Sequence, residues 1–196
     1  WLASASATDN CTLTPTETVT RVNTINQCGN TENRLYQITA TDASGNNNQC
    51  FVEVTITDNT APVIVTAAAN LTVQCDGNGN SDALINWLNT QAGALATDVA
   101  CGNELTWSNN FTGLSDGCGG TGSTTVIFTV SDACGNTVTT TATFTIEDTT
   151  NPTITAPTAI TLLCGSASNN AIVQGWLDSY RVSDACGNVS VTNNFT

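Results

Sequence analysis

The chain contains no histidine, no lysine and no methionine, and its only basic residues are Arg21, Arg34 and Arg181. Each absence closes off chemistry. Without histidine there is no usual general base, no Ser/His/Asp triad and no Cys/His dyad. Without lysine there is no Schiff-base or Ser/Lys nucleophile, and no Lys–Asn isopeptide crosslink. Sixteen acidic residues against three basic ones give a net charge of −13. A surface so charged repels nucleic acid and anionic lipid. No apolar run is long enough to span a bilayer and no secretory leader is recognisable, so direct membrane insertion is not expected. A chain opening on Trp1 without methionine reads as an internal or processed piece. A carboxylate pair of the glycosidase type survives this elimination. The aspartates, however, recur in turn motifs at Asp42, Asp132 and Asp184 and at Asp58 and Asp148, where Asp caps its own backbone. An active site needs to exist once, whereas these positions repeat. The expectation is that the chain is not an enzyme.

What is present is cysteine and repetition. Nine cysteines among 196 residues, with none of the CxxC or Cys/His clustering that zinc requires, indicate disulfides formed in an oxidising, extracellular compartment. Residues 41–64, TDASGNNNQCFVEVTITDNTAPVI, match 131–154, SDACGNTVTTTATFTIEDTTNPTI, at an offset of 90 without a gap, and Cys11 and Cys28 fall on Cys101 and Cys118 at the same offset. A third copy begins later: NLTVQC (70–75) matches AITLLC (159–164), INWL (85–88) resembles QGWL (174–177), and TDVACGN (97–103) matches SDACGN (183–188). Fixed-period similarity of this kind marks a repeat array. Proline at DNTAP and DTTNP sets the boundaries. The reading is the C-terminal part of one repeat at 1–59, a complete repeat at 60–149 and the N-terminal part of the next at 150–196.

Within the complete repeat, Val126, Phe128 and Val130 alternate with polar or outward positions, as do Ala142, Phe144 and Ile146. Period-two alternation of β-branched and aromatic residues predicts half-buried strands, and the Asp132–Asn136 segment between them predicts a hairpin turn. Shorter strands are expected at 62–66, 70–75 and 104–109. Leu84, Trp87 and Leu88 stand at i, i+3 and i+4 behind Ser81 and Asp82, either of which can cap a helix. A short helix is therefore expected over 82–90, repeated around Val173, Trp176 and Leu177. The fold class is all-β: tandem Ig-like antiparallel β-sandwich repeats of about 90 residues, each with one short helix.

The residues TATDASGN…CFVEVTITDNTAP resemble the hyalin-repeat (HYR) pattern, an Ig-like extracellular module. The combination of LTVQCDG, a WL helix, ACGN and NNFTGLSDGCG is similar to the HYR-like repeats of large cell-surface adhesins in Bacteroidota. The resemblance covers nearly the whole chain. It implies surface display in association with an outer membrane, export by type IX secretion, a role in adhesion or gliding motility, and long tandem stalks or filaments without catalytic residues. Partners would be neighbouring repeats of the same chain, with surface glycans or proteins bound at a tip elsewhere. The alternative is a carbohydrate-binding extracellular module with an exposed Trp87 or Trp107 as its sugar platform. In this setting Asp148-Thr149-Thr150 resembles a Bacteroidota O-glycosylation motif with Thr149 as acceptor.

Calcium is the one candidate cofactor. Asp76, Asn78, Asn80 and Asp82 offer side-chain oxygens at alternate positions, and Asp58 and Asp148 stand at the two linkers. Ca²⁺ takes six to eight oxygens. The third repeat has GSASNN at the loop position, and no downstream glutamate completes the set, so stability is expected to be insensitive to chelation. Two cysteine pairings are open. One joins Cys75 to Cys101, Cys118 to Cys134, Cys28 to Cys50 and Cys164 to Cys186, with Cys11 paired upstream, leaving at most one free thiol. The other joins Cys101 to Cys118 and Cys75 to Cys134.

Overall fold

A computed structural model describes residues 5–10, 15–99, 104–165 and 168–194. The described residues are mainly strands, with two short α-helices among them. The first three strands, β1 (Thr16–Asn26), β2 (Glu32–Thr41) and β3 (Asn47–Ile56), form an antiparallel meander. Thr16 faces Thr41 and Glu32 faces Ile56 across the two pairings, with one irregularity between Arg21 and Asn23. Threonine, valine and isoleucine dominate these strands because branched side chains suit a pleated surface. No residue of this sheet is fully buried, and Val22, Ile25 and Phe51 are more than half exposed.

Next come β4 (Val63–Thr66), β5 (Leu71–Gln74), helix α1 (Ser81–Asn89), β6 (Leu95–Thr97), β7 (Thr106–Asn109), β8 (Gly122–Ser131) and β9 (Thr137–Glu147). Strands β4 and β6 pair as a small ribbon, and β5, β9, β8 and β7 form a four-stranded sheet in that order. The expected β8–β9 hairpin, the three shorter strands and the helix are all found. The pairing of β5 with β9 is parallel, Leu71 opposite Phe144 and Gln74 opposite Glu147. This departs from a purely antiparallel arrangement, because β5 and β9 are far apart in sequence and no short turn dictates their direction. Asn70 Oδ1 accepts from the Thr143 amide (2.8 Å) and Thr140 Oγ1 accepts from the Ala68 amide (3.0 Å), which anchors the chain leading into β5.

Alternation in β8 and β9 places Val126, Phe128, Val130, Ala142, Phe144 and Ile146 in the core, each no more than 2 % exposed. Helix α1 closes this core from one side. Trp87 meets Phe128 edge-on at 5.4 Å between ring centroids and Phe144 at 5.5 Å, and its indole N–H donates to the Ala69 carbonyl. Burying an aromatic ring while satisfying its polar atom is the stable use of tryptophan. The cap of α1 differs from expectation. Asn80, in the left-handed region at φ 51°, holds the N-cap position and makes no side-chain cap bond. Its side-chain Nδ2 donates instead to the Gln74 carbonyl. Asp82 lies in the first turn, where its charge complements the helix dipole.

The third repeat supplies β10 (Thr153–Thr155), α2 (Asn169–Leu177) and β11 (Arg181–Ser183), with β10 and β11 antiparallel. Trp176 repeats the tryptophan geometry by donating its indole N–H to the Thr158 carbonyl, 18 residues back, the same spacing as Trp87 to Ala69. The chain divides into two compact units. One comprises 1–65, 96–108 and 129–139, and the other 66–95, 109–128 and 140–196. Each unit draws on segments of successive sequence repeats.

Candidate functional site

The first unit centres on the turn between β8 and β9. Asp132 Oδ1 accepts from the amides of Cys134 (2.8 Å) and Asn136 (2.9 Å), Oδ2 accepts from the Asn136 side chain (2.8 Å), and Gly135 adopts φ 88°. The same turn stands 90 residues earlier. There Asp42 receives the amides of Ser44 and Asn46 at 2.8 Å and the Asn46 side chain at 2.8 Å, with Gly45 also at φ 88°. The motif therefore encodes one rigid Asx-type turn, and the second position after the Asp selects what it presents: a serine at 44, a cysteine at 134. Burial works against ionisation of Asp132, but donation from Asn136, Cys134 and Gly135 outweighs it and holds the carboxyl below the usual carboxylate range. For Asp42 the Asn46 side chain is the leading cause of the same downward direction.

Cys134 is joined to Cys28 (Cα–Cα 4.9 Å) across 106 residues of sequence. Cys28 sits on its own tight turn, in which Thr31 donates both its amide (3.0 Å) and its hydroxyl (2.6 Å) to the Cys28 carbonyl and is itself only 2 % exposed. From the other end of the presenting turn, the Asn136 side chain donates to the carbonyl of the linker residue Asp58 at 3.2 Å. One turn of the complete repeat thus grips both the preceding repeat and the linker.

The second unit holds the second junction. Cys75, at the end of β5, is joined to Cys186 (Cα–Cα 6.0 Å) across 111 residues, and both are 5 % exposed. The Cys186 amide donates to Asp184 Oδ1 at 2.8 Å, the opening bond of the same turn motif. Glycines of the complete repeat carry this turn at backbone contact. A Cβ on Gly119 would stand 1.7 Å from the Cys186 carbonyl oxygen, and one on Gly77 would stand 2.6 Å from the Ala185 oxygen. Both glycines also have positive φ, 63° and 76°, so no other residue meets both requirements.

Both expected pairing schemes are corrected by these bonds. Cys75–Cys101, Cys118–Cys134, Cys28–Cys50, Cys164–Cys186 and Cys75–Cys134 are excluded wherever their partners are taken by Cys28–Cys134 and Cys75–Cys186. Cys50, Cys118 and Cys164 are exposed free thiols, three where at most one was expected. The Gly-rich loop around Cys118 does not reach for the β8–β9 turn. It packs its backbone on the third repeat instead. Cys11 and Cys101 lie outside the described residues.

The calcium candidates separate. Asp76 caps its own loop, with Oδ1 accepting the amides of Asn78 (2.7 Å) and Asn80 (3.0 Å), and these bonds hold its carboxyl below the usual range. Asn80 is engaged with the Gln74 carbonyl and Asp82 lies on α1. Asp76 Oδ1 and Asn80 Oδ1 are thus spent on the loop's own backbone. Asp148 Oδ1 accepts from Gln74 (3.0 Å) and from the Thr150 amide (3.0 Å), and the exposed Thr149 hydroxyl donates to Gln74 at 2.8 Å. The structure instead gathers Asp58, Asp98 and Asp132, which bring one carboxylate oxygen each to within 4.8 Å of one another. These three could share a divalent cation, though they fall short of the six to eight oxygens Ca²⁺ takes. Asp98 escapes sequence reasoning, although TDVACGN shares its Asp/Ala-Cys-Gly-Asn signature with the Asp132 turn. Of the two sugar-platform candidates, Trp87 is 4 % exposed and Trp107 half-buried.

No family model and no curated protein matches the sequence. Among solved structures, PcdhgB3 EC1-4 is similar over 64% of this chain and 34% of that chain, at 14% identity and a TM-score of 0.30. The chain spans about a third of that chain's length. Two closed disulfides are the chemistry of an oxidising compartment. Among the described residues no helix is long and apolar enough to cross a membrane.

Proposed function

We propose that this chain is a stretch of structural stalk from a large secreted cell-surface adhesin or filament. The observation that carries the reading is the pair of disulfides, each tying a cysteine of one sequence repeat to a cysteine of the next. Each bond closes inside one compact unit, where it resists unfolding and proteolysis. The missing histidine and lysine favour the same side. The finer reading rests on the motif resemblance: HYR-like repeats of a Bacteroidota adhesin of the kind exemplified by the gliding-motility adhesin SprB, exported by type IX secretion and held at the outer membrane. Its partners are neighbouring repeats, with glycan or protein ligands engaged at a tip elsewhere. Antibody raised against the chain tests this on cells of the source organism. Labelling of intact cells, abolished by external protease, is expected. Signal confined to lysed cells would end the proposal. On a glycan array the chain alone is expected to bind nothing. Binding lost in Trp107→Ala would move the function to carbohydrate recognition.

A further inference from the structure

The two disulfides follow one rule. In each, the earlier cysteine belongs to one repeat and the later cysteine to the repeat after it: Cys28 reaches forward to Cys134, and Cys75 reaches forward to Cys186. Each later cysteine sits in an Asp-Ala-Cys-Gly-Asn turn whose Asp caps the cysteine amide, Asp132 for Cys134 and Asp184 for Cys186. The free thiols sort by the same rule. Cys118 occupies in the complete repeat the position Cys28 occupies in the first, 90 residues earlier. Cys164 ends AITLLC as Cys75 ends NLTVQC. Both are exposed free thiols, although their counterparts are bonded. Cys11 and Cys101 match Cys186 by sequence, as receivers rather than givers. Cys50 and Cys134 have no counterpart in the 90-residue register, since Thr140 and Ser44 stand at the matching positions.

We propose that Cys118 and Cys164 are the forward halves of further inter-repeat disulfides, each closing on the cysteine of an Asp-Ala-Cys-Gly-Asn turn in another repeat, so that every junction of the array carries two covalent bonds. The inference rests on the tandem-repeat reading but not on surface location or adhesion. The acceptor turn is the same chemistry whether it lies in a continuing chain or in a second copy. Closure removes two protons and two electrons from the two thiols. A disulfide oxidant, oxidised glutathione in the test, takes up both electrons and is reduced to two glutathione thiols.

The experiment duplicates residues 60–149 in place within the full chain and refolds the product with oxidised glutathione. Non-reduced peptide mapping is expected to find Cys118 of the first copy bonded to Cys134 of the second. Iodoacetamide labelling of that Cys118 should fall at least tenfold below its level in the natural chain. A monomeric band on a non-reducing gel assigns the bond to the same chain, and a dimer assigns it to a second copy. Bonds closing within one copy, Cys118 to Cys134 or to Cys101, would overturn the proposal, as would a fully alkylated Cys118. A second variant guards against misfolding of the longer chain. Cys28→Ser in the natural chain frees Cys134, and oxidation should then build a ladder of head-to-tail oligomers through Cys118–Cys134. Cys28→Ser that remains monomeric, or forms only Cys118–Cys118 dimers, counts against it.

Discussion

At the scale of single residues, Trp87 and the turn aspartates hold the molecule in different ways. Trp87 fills the space between α1 and the sheet and satisfies its own N–H. Replacing it with alanine opens a cavity and is expected to cost about 3–5 kcal/mol, read from urea unfolding of the full chain. Trp176→Ala should cost less than half as much, because Trp176 is only partly buried. The aspartates act through protonation. Asp42, Asp76 and Asp132 are all held below the ordinary carboxylate range. A group with a depressed folded pKa contributes stability that is present above its unfolded value of about 3.9 and is lost as the pH falls through the folded value. The urea midpoint is therefore expected to hold steady down to about pH 5 and to fall below about pH 4. Acid also relieves the self-repulsion of a chain at −13, so the local effect is isolated by comparison: Asp42→Asn with Asp132→Asn should flatten the acid limb. An unchanged limb would place the acid sensitivity elsewhere. The role of Trp87 was legible because i, i+3, i+4 spacing fixes a helix face. The Asp58, Asp98 and Asp132 grouping was not, because its members come from a linker, a short strand end and a hairpin turn brought together only by folding.

At the scale of elements, β8 and β9 were the most readable part of the chain. Alternation of Val126, Phe128 and Val130 with Thr125, Ile127 and Thr129 puts three apolar side chains on one face, and the one register that turns that face inward leaves Ile127 exposed. The cysteine pairing resisted reading for an equally physical reason. Spacing within a repeat fixes where a cysteine lies in its own fold, but identical spacing in the next repeat offers an equivalent partner at every step. The decisive contact is backbone packing, Gly119 and Gly77 against residues 185 and 186, which no hydrophobic pattern reports. Gly119→Ala is expected to prevent close approach of the third-repeat turn and to leave Cys75 and Cys186 substantially alkylatable after oxidative refolding. Gly187→Ala, whose Cβ would meet only ordinary contact at 3.5 Å from the Gly119 Cα, should leave the bond formed. Equal labelling in both variants would show that the contact does not govern pairing. Hydrogen exchange should follow burial in the same way, slow for the amides of β8 and β9 and fast for the exposed three-residue strands β10 and β11.

At the scale of the whole molecule, the two bridges close loops of 106 and 111 residues. The chain-entropy account assigns each about 4.7 kcal/mol through restriction of the unfolded chain. Reduction by a phosphine should therefore lower the melting temperature by well over ten degrees, and thiol titration should rise by four per chain. A melting temperature indifferent to reduction would show that the bridges contribute no net stability and would overturn the chain-entropy account. The two bridges are also interleaved along the chain, in the order Cys28, Cys75, Cys134, Cys186. Between Cys28 and Cys186 the chain therefore offers two covalent routes, one running through residues 28–75 and the other through 134–186. Each arm is roughly 50 residues, at most about 170 Å when fully drawn out. A tether pulled past the point of unfolding would lengthen until the shorter arm, 28–75, is taut and stop there; rupture of Cys75–Cys186 would then pass the load to the slightly longer arm, whereas rupture of Cys28–Cys134 would leave the length unchanged.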